Sequence, residues 1–276
     1  MTIKFAFSSN AFRKFSLIET IQELGKIGYK GVEIMADRPH AYPPDLDSTQ
    51  IHSIKEALKK WNMRISNINA FMMTAVGDFH HPSWIEKDKS KRGIRIQHTI
   101  NCIHLASELG ARSISTEPGG PLNGMREEAA LDIFAEGISK VVKYAQEDGV
   151  YLLIEPEPGL LIETSPQMKH FLSIVGSEWI GINCDLGHFF CVGEDPVQVM
   201  SDMKGWIKHF HLEDISPDRK HEHLMLGTGA MNIPGILKAI RNIQYKGFIT
   251  VELYPYQDDP VGTAKESYEY LCSLHI

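Results

Sequence analysis

None of the four cysteines, Cys102, Cys184, Cys191 and Cys272, has a partner at CxxC spacing. That absence argues against a zinc knuckle and against a disulfide framework, and it predicts a reducing, cytoplasmic location. No apolar run approaches the ~18–20 residues of a membrane span. The opening stretch, MTIKFAFSSNAF, has one lysine and neither a long apolar core nor a small-residue cleavage pattern, so no signal peptide is expected. Basic charge is also short, with 28 Lys and Arg against 35 Asp and Glu and a net charge of −7. A nucleic-acid partner needs a basic face to meet its phosphates, and this balance argues against one. Neither a GxGxxG turn nor a Walker motif follows the first strand-like run, where SSNAFRKF stands instead. An open, dinucleotide-binding sheet usually carries such a turn.

What is present is an alternation. The chain has 276 residues, 43% of them hydrophobic, enough for one large core. IKFAFSS reads as a strand and SLIETIQELGKIG as a helix with glycine at its end. YKGVEIM, a helix over 49–61 and MRISNINAF follow, then a long helix over about 93–110 and ARSISTEP. Helices lead in turn to VYLLIEPEP, WIGINCDLGH, WIKHFHLED and YKGFITVELYP, and a helix over about 260–274 closes the chain. Strands separated by helices of this length pair in parallel through right-handed crossovers. Eight units in a row predict a single α/β domain over 1–276 closed as a (β/α)₈ barrel, an architecture that commonly takes ~250 residues. Residues 72–92 show no periodicity and are long for a connection, which marks them as a functional lid or rim.

Barrels of this kind carry their active sites at the C-terminal ends of the strands. The fifth strand ends in Glu155, with Glu157 two residues on. The sixth ends in Asp185, with His188 in the next turn. The seventh carries His209, His211, Glu213 and Asp214, and the eighth carries Glu252. Taken singly, each has an ordinary explanation: a solvated strand end, a helix cap, a core histidine. Together they deliver oxygen or imidazole from four consecutive strands at one end, and neighbouring strands lie only ~4.8 Å apart. Carboxylates beside buried apolar runs are costly unless paired or bound to a cation. An oxygen-rich set with one histidine suits Mn²⁺, Mg²⁺ or Co²⁺ better than a structural Zn²⁺.

The series LLIEPEPG, INCDLGHF, IKHFHLED and FITVELYP resembles the xylose-isomerase-like TIM barrels, over nearly the whole chain. That family includes sugar and sugar-phosphate isomerases, ketose 3-epimerases, hydroxypyruvate isomerase, inosose dehydratase and the endonuclease IV group. The resemblance implies a divalent metal (Mn, Mg, Co or Zn) held by Glu155, Asp185, His211 and Glu252, with His188 contacting substrate. It implies a metal-dependent isomerase or epimerase of a small sugar, sugar phosphate or related hydroxy ketone, acting through an enediolate with Glu155 and Glu252 as acid and base. It also implies association as a homodimer or homotetramer. A metal-dependent dehydratase is the alternative, and an endonuclease-like phosphodiesterase or a non-catalytic sugar-binding barrel stands further off. The epimerases carry an arginine a few residues beyond the seventh-strand histidine; here Pro217 falls near that position and Arg219 is displaced. His221 and His223 stand where the endonuclease group has Asp-x-His, and would bind a second metal, bind a phosphate or carboxylate, or sit in a solvated loop. The endonuclease group has histidines where this chain offers Asn67, Asn69 and Glu117. The expected substrate-binding set is therefore His188, Glu157, Asn69, Glu117, His221, His223 and Arg219, with no nucleic-acid or membrane partner.

Overall fold

In a computed structural model, which describes residues 3–275, the eight predicted strands close into a barrel in sequence order. They are β1 (Lys4–Ser8), β2 (Gly31–Met35), β3 (Arg64–Asn69), β4 (Ser113–Thr116), β5 (Tyr151–Ile154), β6 (Ile180–Asp185), β7 (Ile207–Leu212) and β8 (Phe248–Val251). All pairs are parallel, and β1 closes on β8 with Lys4 opposite Phe248. The helices are α1 (Leu17–Ile27), α2 (Ser48–Lys60), α3 (Lys89–Leu109), α4 (Glu127–Asp148), α5 (Ser165–Val175), α6 (Leu186–Cys191), α7 (Pro196–Met203), α8 (Ile233–Asn242) and α9 (Pro260–Ser273). No helix among the described residues is long and apolar enough to cross a membrane.

Local chemistry explains many of the boundaries. Ser16, Asp47 and Thr164 cap α1, α2 and α5 through reciprocal boxes with Glu19, Gln50 and Gln167. Each box satisfies backbone donors that the first helical turn leaves free. Gly110 and Gly149 end α3 and α4 in the left-handed conformation that glycine adopts without a Cβ clash. The outer layer packs apolar helix faces on the outer face of the strands, with Ile21, Ile103, Phe134 and Phe171 fully buried. The inside of the barrel is polar. Glu33 Oε1 accepts from Ser8 at 2.8 Å, and Asn67 Nδ2 donates to Glu33 Oε2 and to Ser115, both at 2.9 Å.

Two interruptions of register bear on the site. The pairing of β2 with β3 shifts between Val32 and Glu33, and that of β6 with β7 shifts between Ile182 and Asn183. An extra residue on one strand re-aims the side chains beyond it. Beyond the second shift Asn183 stands opposite His209 and Asp185 opposite His211.

Two elements differ from the sequence expectation. The long helix α3 begins at Lys89, four residues earlier than 93, because Asp88 caps it by accepting from Ser90 N. The turn expected at His188 is the short helix α6. Asp185 starts it by accepting from His188 N at 2.8 Å.

Candidate metal centre and its cavity

Four residues from four adjacent strand ends meet at the barrel mouth. One ligand atom each of Glu155, Asp185, His211 and Glu252 lies within 4.8 Å of the others, and all four residues are buried. His211 Nδ1 stands 2.9 Å from Glu155 Oε1, 3.3 Å from Glu252 Oε2 and 3.7 Å from Asp185 Oδ2. Its other nitrogen, Nε2, lies 2.8 Å from Glu33 Oε2. Glu33 thus fixes the ring so that Nδ1 faces the three acids, the carboxylate–histidine arrangement that orients metal-ligating imidazoles. His209, two residues back on the same face, meets Glu33 Oε2 at 3.2 Å.

Asp185 divides its two oxygens. Oδ1 caps α6, while Oδ2 has no hydrogen-bond partner among the described residues, and neither does Glu155 Oε2. Buried carboxylate oxygens without donors are costly. A divalent cation would satisfy both at once, and the oxygen-rich donor set fits one. Gly187 follows from crowding: Glu213 Oε1 accepts from Gly187 N at 2.6 Å, and a Cβ at Gly187 would collide with that carboxylate.

The electrostatics agree with a site built for positive charge. Burial raises Glu155 to about 7, with the Glu252 and Asp185 charges adding and His211 opposing. Burial also pushes Glu157 and Glu213 well above the usual carboxylate range, and neighbouring acids push further. His211 behaves oppositely: burial would lower it, but Glu252, Glu33 and Glu155 outweigh that and hold it well above an ordinary histidine. Glu33, which burial would raise, is instead held well below its ordinary value by His211 and His209.

Beside this set, His188, His221 and His223 bring three imidazoles together, and they form a second group able to hold an ion. His188 Nε2 is 2.9 Å from His221 Nε2 and 3.4 Å from His223 Nε2. It also lies 3.6 Å from Asp185 Oδ2. Burial lowers His188, and lowers His221 to about 4. His221 and His223 therefore lie at the site and not in a solvated loop.

Above these groups opens a pocket at the barrel mouth. Glu155, Glu157, Glu252 and the three histidines line its floor, and Asn10 and Asn69 line its side. Phe71, Met72, Phe79 and Tyr254 form an apolar wall. The irregular segment expected as a rim supplies two of those four, Met72 and Phe79, and Phe71 immediately precedes it. Arg95, fully buried, ties the start of that segment to its middle, with Nε donating to Pro82 O at 2.8 Å and Nη1 to Phe71 O at 2.7 Å and Ala70 O at 3.1 Å.

Of the residues expected to bind substrate, His188, Glu157, Asn69, His221 and His223 line the cavity, whereas Glu117 and Arg219 do not. Glu117 lies fully buried behind the wall, 3.8 Å from Arg95 and accepting from Trp84 N at 3.0 Å. Its strand-end position made it resemble a ligand, but the rim segment folds over it. Arg219 packs over the Phe190 ring and donates to Phe190 O at 3.0 Å, beside an outer groove. Reading along the strand ends missed Asn10, whose Nδ2 donates to Glu252 Oε1 at 2.8 Å. Asn10 sits in a short 3₁₀ turn (Ser9–Ala11) right after β1, and that strand end carried no acid to draw attention. Tyr254 and Phe79 were missed as well, since aromatic side chains near a strand end or in a rim carry no distinguishing pattern.

Residues 21–274 match the model of the xylose isomerase-like TIM barrel family. The chain is similar to a fructoselysine 3-epimerase of Shigella flexneri, at 24% identity over 95% of this chain and 94% of that protein. It is also similar to an inosose dehydratase of Clostridium botulinum, at 24% identity over 85% of this chain and 80% of that protein. Among solved structures, a D-tagatose 3-epimerase-like protein superposes with a TM-score of 0.82 at 22% identity, covering 99% of this chain and 97% of the other. The IolI protein, solved with a zinc atom, superposes with a TM-score of 0.80 at 16% identity, covering 99% of this chain and 98% of the other.

Proposed function

Because the chain belongs to the xylose isomerase-like TIM barrel family, we propose that it moves a proton beside the carbonyl of a small hydroxy ketone, a sugar or related polyol. The reading is a divalent-metal-dependent isomerase or epimerase, with Glu155, Asp185, His211 and Glu252 as ligands. The observation that carries it is the pair of buried oxygens, Glu155 Oε2 and Asp185 Oδ2, that have no hydrogen-bond partner inside a four-ligand cluster. The epimerases and dehydratases among its relatives support the same class of chemistry.

A divalent cation held there supplies Lewis acidity, drawing electron density from a carbonyl and making the adjoining C–H acidic. The chain's own groups do the rest. Glu155 and Glu252 reach the cavity from β5 and β8 and serve as base and acid at the carbon beside the carbonyl. Asn10 and Asn69 hold Glu252 by donating to its Oε1 at 2.8 and 3.3 Å. This leaves Glu252 Oε2 toward the ligand set. His188, fixed by its Nδ1 on Pro156 O at 2.9 Å, offers Nε2 to a substrate hydroxyl. The apolar wall excludes water from the proton being moved.

The test is uptake of deuterium from D₂O at the α-carbon of ketoses and inososes by Mn²⁺-loaded protein. Glu155→Gln and Glu252→Gln should each lower exchange by at least 10³-fold, with melting temperatures close to the parent's. Full exchange in both variants would remove the assignment. Loss of water instead of return of the proton would identify the dehydratase alternative.

A further inference from the structure

Two buried acceptors of the cavity lining have no donor among the described residues. Asn10 Nδ2 is engaged by Glu252, which leaves Asn10 Oδ1 as a buried acceptor without a donor, and Glu155 Oε2 is another. Two of the histidines are fixed by backbone carbonyls. His188 Nδ1 lies 2.9 Å from Pro156 O and His223 Nδ1 lies 2.8 Å from Glu252 O. A carbonyl only accepts, so the hydrogens sit on those Nδ1 atoms, and the His188 Nε2 lone pair accepts from His221 Nε2 at 2.9 Å.

The devices that bind anions are absent or occupied. Among the described residues no lysine or arginine lines the cavity. Neighbouring arginines are committed elsewhere: Arg13 to Thr74 at 3.0 Å, Arg95 to rim carbonyls, and Arg219 to Phe190 O. The first amides of α6 are also taken, Gly187 N by Glu213 and His188 N by Asp185. Barrels that bind phosphate commonly use backbone amides in the loops after strands seven and eight. Here the amides of that loop converge on the chain's own Asp214. Its oxygens accept from the backbone nitrogens of Ile215, Gly227, Gly229 and Met231 at 2.9–3.0 Å. The nest that would cradle an anion already holds a carboxylate.

From the missing cations and the filled amide nest, we infer that the substrate is an uncharged polyhydroxy carbonyl compound, not its phosphate ester or a sugar acid. The carbonyl part of that statement rests on the proposed proton transfer; the charge part does not. The hydroxyls donate to the acceptors of the floor, and the C–H face lies against Phe79 and Tyr254, whose rings are 6.1 Å apart.

The experiment pairs each free ketose (D-fructose, D-psicose, D-tagatose, D-sorbose) with its 6-phosphate on Mn²⁺-loaded protein. It reads both kcat/KM and deuterium uptake. The expected result is a preference of at least 100-fold for the free sugar. A preference for the phosphate ester overturns the inference while leaving the proton-transfer reading intact. If no sugar exchanges, that reading fails and the charge preference is decided by calorimetric titration with D-glucitol and D-glucitol 6-phosphate. Tenfold tighter binding of the neutral polyol upholds the inference; equal or tighter binding of the phosphate, or binding of neither, overturns it. Phe79→Arg adds a cation to a half-buried wall position and should shrink the preference at least tenfold. An unchanged preference would show that wall charge does not set it.

Discussion

At the scale of single residues, the site turns on which atom of each side chain is already occupied. His211 has Nε2 on Glu33 and Nδ1 among three acids, so Glu33 decides how the ligand nitrogen is presented. Outer partners of this kind set metal affinity by roughly 10–100-fold. Glu33→Gln should weaken Mn²⁺ binding by about that factor in a calorimetric titration, and unchanged affinity would make Glu33 a mere core residue. Proton competition gives a second test. Glu155 is raised to about 7 by burial and must be ionised to bind a cation, and His211, held well above an ordinary histidine against its burial, must give up its Nδ1 proton. Both groups therefore bind protons more tightly in the free site than a cation tolerates. Affinity should fall as pH falls, by at least tenfold between pH 7.5 and 6, with protons released on binding. A dissociation constant flat across that interval would contradict the reading.

At the scale of elements, the rim segment matters most. It lacks periodicity, yet buried polar anchors hold it. Arg95 donates to Phe71 O at its start and to Pro82 O in its middle, and Asp37 accepts from Thr74 N at 2.7 Å and Ala75 N at 2.9 Å. Trp84 closes the segment by donating from its indole to Thr116 at 3.0 Å. Arg95→Met removes three hydrogen bonds and leaves Glu117 buried without its counter-charge. Breaking one side of a buried pair typically costs about 3–5 kcal/mol. The variant should melt lower and be cut by chymotrypsin after Phe71 or Phe79 much faster than the parent. Parental resistance to cleavage would show that Arg95 does not hold the rim.

At the scale of the whole molecule, the barrel brings the acids of β2, β5, β6, β7 and β8 to one mouth, with Glu33, Asp185 and Glu213 fully buried. Such a concentration of like charge opposes folding unless it is neutralised, and a cation held by the proposed ligands would join four neighbouring strands while doing so. Binding at 100 times the dissociation constant stabilises the native state by about 2.7 kcal/mol. For a chain of this length that is on the order of 5 °C in melting temperature. Saturating Mn²⁺ should raise the melting temperature by this amount and EDTA should reverse it. A melting curve indifferent to both would argue against a resident cation.

The sequence alone determined the barrel, because strand-like runs alternating with capped amphipathic helices are local patterns, and eight of them leave little choice of closure. It also placed Glu155, Asp185, His211 and Glu252 together, since position at a strand's C-terminal end is itself a local property once the topology is known. Only the tertiary structure decided the rest. Glu33 reaches His211 across the barrel, a pairing separated by 178 positions in the chain, and no local pattern announces it. Glu117 stood at a strand end just as Glu155 did, but a rim segment anchored by Arg95 covers it. Asp185 read equally well as cap or ligand, and one carboxylate does the first with Oδ1 and leaves Oδ2 for the second. The sequence says which residues arrive at the mouth of the barrel. Which atoms there remain free is settled by long-range packing, because hydrogen bonds from other strands and loops consume some donors and acceptors and leave others facing the cavity.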